Sequence, residues 1–363
     1  MEERQFTGHW NHGGDVYRND VQCDFSVSVN PLGMPAEAKR VYREAERKLQ
    51  QYPDPENEAL VRAISARYEV PEEEILCGSG ASGILTAAVM ALRPERVLLP
   101  VPSFSGYRAA IRAVETVTGR AVVTEPFLLK EEEGFSLDER FLRRLRENRQ
   151  YPDLIILCNP NNPTGREIRP EILRETLLFC RERGTRLLLD ECFLDLLPGG
   201  EEKSLRRELP QHPELMILGS FTKTFGIPGI RAGWLFCSDR EMIRRIGRIQ
   251  PEWSLAVPAQ ETAREVLTGD TESYLERSRE FIRKERDFLE KGLKRCGCTV
   301  FPGSANYLFF SSKKEIAADL LARGFLIRSW TENAAENGRH YYRIAVRRHA
   351  ENATLLKTLQ EIL

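Results

Sequence analysis

The chain has 363 residues, 41% hydrophobic and 29% charged, with a formal net charge of −1. That balance argues against a general electrostatic grip on nucleic acid, and no apolar run approaches the roughly 18–20 residues of a membrane span. The length suits one large and one smaller domain.

The opening residues, MEERQFTGHWNHGG, lack a basic segment leading into an apolar one, so they do not read as a secretory signal. Residues 1–30 are irregular and aromatic, which predicts an arm packed on the smaller domain, the active-site mouth or a partner subunit. From 31 to about 270 short apolar runs alternate with helical patterns. RVLLP (96–100), DLIILCNP (153–160), RLLLDECF (186–193), LMILGSF (215–221) and GWLFCS (233–238) read as buried strands. RPEILRETLLFCRERG (169–184) reads as a helix, with proline near its start and glycine at its end. This alternation predicts an α/β fold whose large domain holds a mostly parallel sheet, covered on both faces. A long charged helix pattern over about 271–295 leads out. The remainder reads strand, helix, strand, strand, helix: a smaller α+β domain over 271–363. Eight cysteines are scattered, and the one close pair, Cys296 and Cys298, is C-x-C rather than C-x-x-C. Reduced thiols in a cytoplasmic enzyme are the expectation.

Four stretches carry chemistry. In CGSGASGILTAAVMALR (77–93) a Gly/Ser turn runs into a helix, whose free N–H groups and dipole suit an anion. No Walker lysine follows and the dinucleotide spacing fails, so by itself the feature is equally a simple cap. CNPNNPTG (158–165) is a backbone-restricted loop that can aim the Asn162 amide at a ligand oxygen. In DECF (190–193) Asp190 follows an apolar strand, where a carboxylate is costly unless paired; it is either a cap or the partner of a cationic ring nitrogen. Lys223 lies in SFTKTFGIPGIRAGW (220–234) with Ser220, Thr222 and Arg231. Alone it would pass for a surface-loop lysine. With an anion site and a buried carboxylate in the same chain, the cofactor wanted is pyridoxal 5'-phosphate, whose aldehyde needs a lysine.

These motifs resemble the fold-type I pyridoxal-phosphate family, in the branch containing histidinol-phosphate aminotransferase and threonine-phosphate decarboxylase. The likeness covers nearly the whole length. It implies that Lys223 forms the Schiff base and Asp190 pairs with the pyridinium. It gives Asn162 the ring oxygen, and gives the phosphate to Ala81, Ser82, Ser220, Thr222 and Arg231. Phe104 falls where an aromatic ring stacks on the cofactor. Tyr52, in QYPDPEN, matches a tyrosine that reaches the partner subunit's phosphate, which implies a homodimer with shared sites. Arg343 matches the carboxylate-binding arginine. Arg328 and Arg347 are candidates for a second anion such as a substrate phosphate, capped by Asn30, His9 or His12. A His9-x-x-His12 metal pair lacks a third ligand, so no metal is expected.

Two departures stand out. Aminotransferases of the family usually place a tyrosine at the position of Phe193, and often at that of Phe104. Both phenylalanines, together with HGGD, VSVNPLG (27–33), WSL (253–255) and YYRIAVRRHAEN (341–352), resemble the decarboxylase branch. The implied activity is decarboxylation of L-threonine O-3-phosphate, whose product serves cobalamin side-chain synthesis. The alternative is amino transfer, as on histidinol phosphate. A cofactor-binding regulatory module is disfavoured, because the first 30 residues hold no basic helix-turn-helix pattern.

Overall fold

The computed structural model describes residues 13–147, 150–330 and 338–363. After a two-residue strand β1 (Cys23–Asp24), seven strands form the central sheet: β2 (Ile75–Gly78), β3 (Arg96–Val101), β4 (Val123–Leu128), β5 (Leu154–Cys158), β6 (Arg186–Asp190), β7 (Leu215–Ser220) and β8 (Gly233–Phe236). Their spatial order is β2-β8-β7-β6-β5-β3-β4, with β8 antiparallel to both neighbours and the other pairs parallel.

The middle strands are apolar runs without polar alternation because both faces are covered. Ile155, Leu157, Leu187, Leu189 and Ile217 enter one core cluster, while Leu154, Ile156, Leu188, Met216 and Leu218 enter the other. Helices such as Pro170–Arg183 and Gly80–Leu92 supply the covering layers.

The helix Thr271–Arg295 leads to five short strands: β9 (Thr299–Val300), β10 (Tyr307–Ser312), β11 (Phe325–Leu326), β12 (Arg328–Trp330) and β13 (His340–Ala345). Four make an antiparallel sheet in the order β12-β13-β10-β9. One face, with Leu308, Phe310 and Ile344, packs in a core with Leu289 and Leu293 of the long helix. Phe309 and Tyr341, on the other face, join the central-sheet core. The large-sheet side contributes Phe135, fully buried with φ +56° and edge-on to Phe301, Phe309 and Tyr341. A bulky residue in that left-handed region is rare, and the aromatic packing holds it there.

Three sequence expectations change. The second strand expected in the smaller domain, FLIRSW (325–330), is two strands, because β11 pairs in parallel with β1 while β12 pairs with β13. The first helix expected there, KEIAADLLARG (314–324), is helical only over Ala317–Leu321, closed at Gly324 with φ +80°. Three strands escaped the reading: β1, two residues long inside the stretch expected to be irregular; β2, which is four residues long; and β4, which contains Pro126 and is an edge strand, where proline is tolerated. Among the described residues no helix is long and apolar enough to cross a membrane, and all eight cysteines are free.

Candidate active site

Strand pairing sets the motifs side by side. Cys158 of β5 lies opposite Asp190 of β6, Asp190 opposite Leu218 of β7, and Ser220 opposite Gly233 of β8. The asparagine-proline loop, the DECF turn and the Lys223 turn therefore leave adjacent strand ends. Open α/β sheets bind ligands at such ends. A cavity of ≈ 210 Å³ opens there.

Asp190 is buried at the end of β6. The Tyr107 hydroxyl donates to Oδ2 at 2.7 Å and the Cys192 amide donates to Oδ1 at 3.0 Å. Asn162 sits in a loop fixed from within and without. The Gly165 amide donates to Asn161 O at 2.6 Å, the Ile168 amide donates to Asn159 Oδ1 at 2.9 Å, and the Tyr307 hydroxyl donates to Asn161 O at 2.8 Å. Arg343 Nη1 donates to Asn162 Oδ1 at 2.5 Å, which leaves the Asn162 Nδ2 hydrogens for another acceptor.

Lys223 lies in the single turn Phe221–Thr224, capped by Ser220 Oγ, which accepts from the Thr222 amide at 3.1 Å. Its amine pairs with no carboxylate at salt-bridge distance among the described residues. Burial, with help from the nearby Arg343 and Arg231 charges, pushes its pKa down to about 8. An amine so shifted is far more often neutral, hence nucleophilic, than an ordinary lysine.

Across the cavity mouth Arg231 takes φ +58° and Nη2 donates to Ser82 Oγ at 3.2 Å in the first turn of the helix Gly80–Leu92. A Cβ on Gly80 would lie 2.7 Å from Arg231 Nη2, and one on Gly233 would lie 2.7 Å from the Ala81 amide nitrogen. Both glycines keep a helix start and a guanidinium close enough to share one anion.

The opposite wall comes from the small sheet and from residues 26–28. Arg343 is paired across strands with Arg328. Its guanidinium stacks 5.2 Å from the Tyr307 ring and 5.8 Å from the Trp330 ring, and that of Arg328 lies 4.8 Å from the Trp330 ring. Nη2 of Arg343 donates to the Ser26 carbonyl. Burial lowers the Arg343 pKa to about 10, so it remains a cation at neutral pH. Two buried polar atoms on this wall, Arg343 Nε and Ser28 Oγ, have no hydrogen-bond partner among the described residues. Leaving such groups unmet is costly, so they mark a place where a polar ligand would be welcome.

Of the expected residues, Ala81, Ser82, Phe104, Asn162, Asp190, Ser220, Thr222, Lys223, Arg231, Arg328 and Arg343 line this cavity. Arg347 does not: it binds Glu351 at 2.6 Å and the Asp24 carbonyl at 3.1 Å. Asn30 does not either, because its side chain is spent on Thr224 O, Ser278 Oγ and the Leu32 amide. Neither is available to a substrate anion. Tyr52 lies outside this chain's cavity, 80% exposed and stacked on Trp253 at 4.6 Å. His9 and His12 fall outside the described residues. Sequence reasoning missed Tyr107, Trp330, Cys158, Cys192, Ser26 and Ser28 as part of the site. Trp330 had a signal, standing two residues beyond Arg328 on the same strand face.

A family model for aminotransferase class I and II matches residues 21–359. The chain belongs to that family. Over 97% of its length it is 31% identical to threonine-phosphate decarboxylase of Salmonella typhimurium, covering 96% of that protein. It is 28% identical, over 93% of its length and 92% of the relative, to histidinol-phosphate aminotransferase 2 of Archaeoglobus fulgidus. Among solved structures it resembles the histidinol-phosphate aminotransferase of Clostridium acetobutylicum, with a TM-score of 0.82, 26% identity, and coverage of 94% of this chain and 98% of that one. Membership makes this a pyridoxal-phosphate-dependent enzyme of the fold-type I architecture. The cavity fits that cofactor: a buried carboxylate, a low-pKa lysine and a glycine-lined anion cradle surround one space.

Proposed function

We propose that the chain decarboxylates L-threonine O-3-phosphate. The observation that carries this reading is the pair of arginines, Arg343 and Arg328, side by side on one cavity wall and facing the Lys223 wall. That substrate bears two anions, a carboxylate and a phosphate. Histidinol phosphate bears only the phosphate. The similarity to threonine-phosphate decarboxylase over nearly the whole chain supports the same choice.

In this reading Ala81, Ser82, Ser220, Thr222 and Arg231 would hold the cofactor's phosphate, Asp190 would pair with its ring nitrogen and the Asn162 amide with its ring oxygen. Phe104 would stack on the ring. When bound, pyridoxal phosphate supplies an electron sink for the pair left on Cα when a bond there breaks. Tyr107 and the Cys192 amide keep the Asp190 carboxylate from turning away. Lys223 would hold the cofactor's aldehyde through its amine, and its Nζ, once freed and protonated, would be placed to return a proton to Cα. Arg343 grips the substrate carboxylate with its planar fork and sets its tilt. Arg328 holds the substrate phosphate. Phe193, edge-on to Tyr307 at 5.1 Å, offers no hydroxyl to the ring oxygen, which leaves the Asn162 amide as the proposed donor there.

In this reading two domains, 31–270 and 271–363, bring these groups together, with Gly13 and residues 26–28 at the cavity; the rest of the proposed arm, 1–12, lies outside the described residues. The exposed Tyr52–Trp253 pair supports a homodimer in which Tyr52 serves the neighbouring site.

The test is direct. Carbon dioxide released from threonine phosphate without any keto acid supports the proposal. Glutamate formed only when 2-oxoglutarate is present, with no carbon dioxide, supports an aminotransferase instead.

A further inference from the structure

We propose that Asn30 is a positioning residue that fixes the turn carrying Lys223 and ties it to the long helix Thr271–Arg295. It rests on the reading of Lys223 as the cofactor's lysine. The helical segment Phe221–Thr224 is one turn long, so its terminal carbonyls need donors from elsewhere. Asn30 provides two: its backbone amide donates to Lys223 O at 2.9 Å, and Nδ2 donates to Thr224 O at 2.9 Å. The same Nδ2 donates to Ser278 Oγ at 2.7 Å, and Oδ1 accepts from the Leu32 amide at 3.0 Å. Asn30 is 2% exposed and Ser278 is 0% exposed, so water cannot substitute for either.

The link continues on both sides. Ser278 Oγ donates to Tyr274 O at 2.7 Å, and the Tyr274 hydroxyl donates to Gly33 O at 2.7 Å. Gly226, with φ +63°, ends the Lys223 turn so close to Gly33 that an added Cβ would lie 2.9 Å from its backbone. The two turns thus press backbone on backbone, with Asn30 between them. Arg348 Nε donates to Pro31 O at 3.4 Å, adding a contact from the far end of the chain. The long helix carries the small sheet, and the small sheet carries Arg343. Asn30 therefore registers Lys223 against the wall that grips the substrate.

Three variants test this: Asn30→Ala, Asn30→Asp and Ser278→Ala. Asn30→Asp keeps the acceptor for the Leu32 amide and loses both Nδ2 donations, so it separates a role in the 30–33 turn from a role toward Lys223. In the cofactor-free protein, hydrogen exchange at the amides of 224–227 should accelerate by about tenfold in Asn30→Asp and less in Ser278→Ala. With pyridoxal phosphate added, the pH midpoint of the yellow absorbance band should move in the same order, and borohydride should trap less cofactor on Lys223. A residue that only stabilises the fold would leave that midpoint alone. Wild-type exchange rates and an unmoved midpoint in folded Asn30→Asp and Ser278→Ala would overturn the proposal. If the wild-type protein itself forms no yellow band, the reading of Lys223 fails, while the exchange data still judge Asn30. Should Asn30→Ala not fold, the other two variants carry the test.

Discussion

Asp190 and Ser220 end neighbouring parallel strands, whereas Arg343 and Arg328 stand within strands of a small antiparallel sheet. On the first wall, backbone pairing alone brings three loops together, and each loop carries its own group. On the second wall, two arginines meet because β12 and β13 hold one register and because Trp330 and Tyr307 flank their guanidinium groups. The difference separates two tasks. Groups suited to the cofactor sit on the central sheet. Groups suited to the substrate sit on a second sheet, coupled to the first through the Arg343–Asn162 hydrogen bond.

Breaking the first wall should cost most. Lys223→Ala should abolish turnover and the yellow absorbance band while the chain stays folded, read by absorbance and circular dichroism. On the second wall, Arg343→Ala should raise the substrate KM by roughly 10–100-fold while cofactor affinity changes little. Steady-state kinetics and a cofactor titration distinguish these effects, and equal losses in both would erase the distinction between the walls. Behind the first wall, Tyr107→Phe removes one of two donors to Asp190 and should lower kcat by about fivefold, with KM nearly unchanged.

The smallest effect links the walls. Cofactor should load onto Lys223 faster as pH rises through about 8, because the neutral amine reacts. Arg343 is a like charge that lowers this pKa, so Arg343→Ala should move the midpoint upward by roughly half a unit. Stopped-flow absorbance across pH measures it, and a downward move would contradict the electrostatic account. The sign for stability follows as well. The folded chain releases this proton below the 10.5 of an ordinary lysine, so the cofactor-free protein should gain stability between about pH 8 and that value. Urea midpoints across the window test that.

The first wall was largely legible in the sequence, and for a local reason. NPNNPTG, DECF and SFTK each follow an apolar run, so strand, turn and group are written within one short stretch. The apolar strands themselves could hardly be read otherwise. What escaped depends on distant partners. Tyr107 meets Asp190 across 83 positions of sequence, and nothing near either residue announces the other. Asn30 and Arg347 read as spare polar groups until Ser278 and Glu351 are seen to occupy them. Strand β4 hid because Pro126 argues against a central strand and says nothing against an edge.

Strand β1 has a consequence for how the protein is made. Cys23 and Asp24 pair with Phe325 and Leu326, about 300 residues later in the chain. The Phe25 ring lies in the small unit's core, and its carbonyl accepts from the Ala345 amide at 2.9 Å. During synthesis residues 23–25 must therefore wait until residues 325–345 have been made. Closing so long a loop is slow relative to local pairing. The segment 26–28 that lines the cavity is thus made before the central sheet, while its neighbours at 23–25 find their partners only after that sheet's strands are made. The substrate side would assemble on a chain whose central sheet has already been completed.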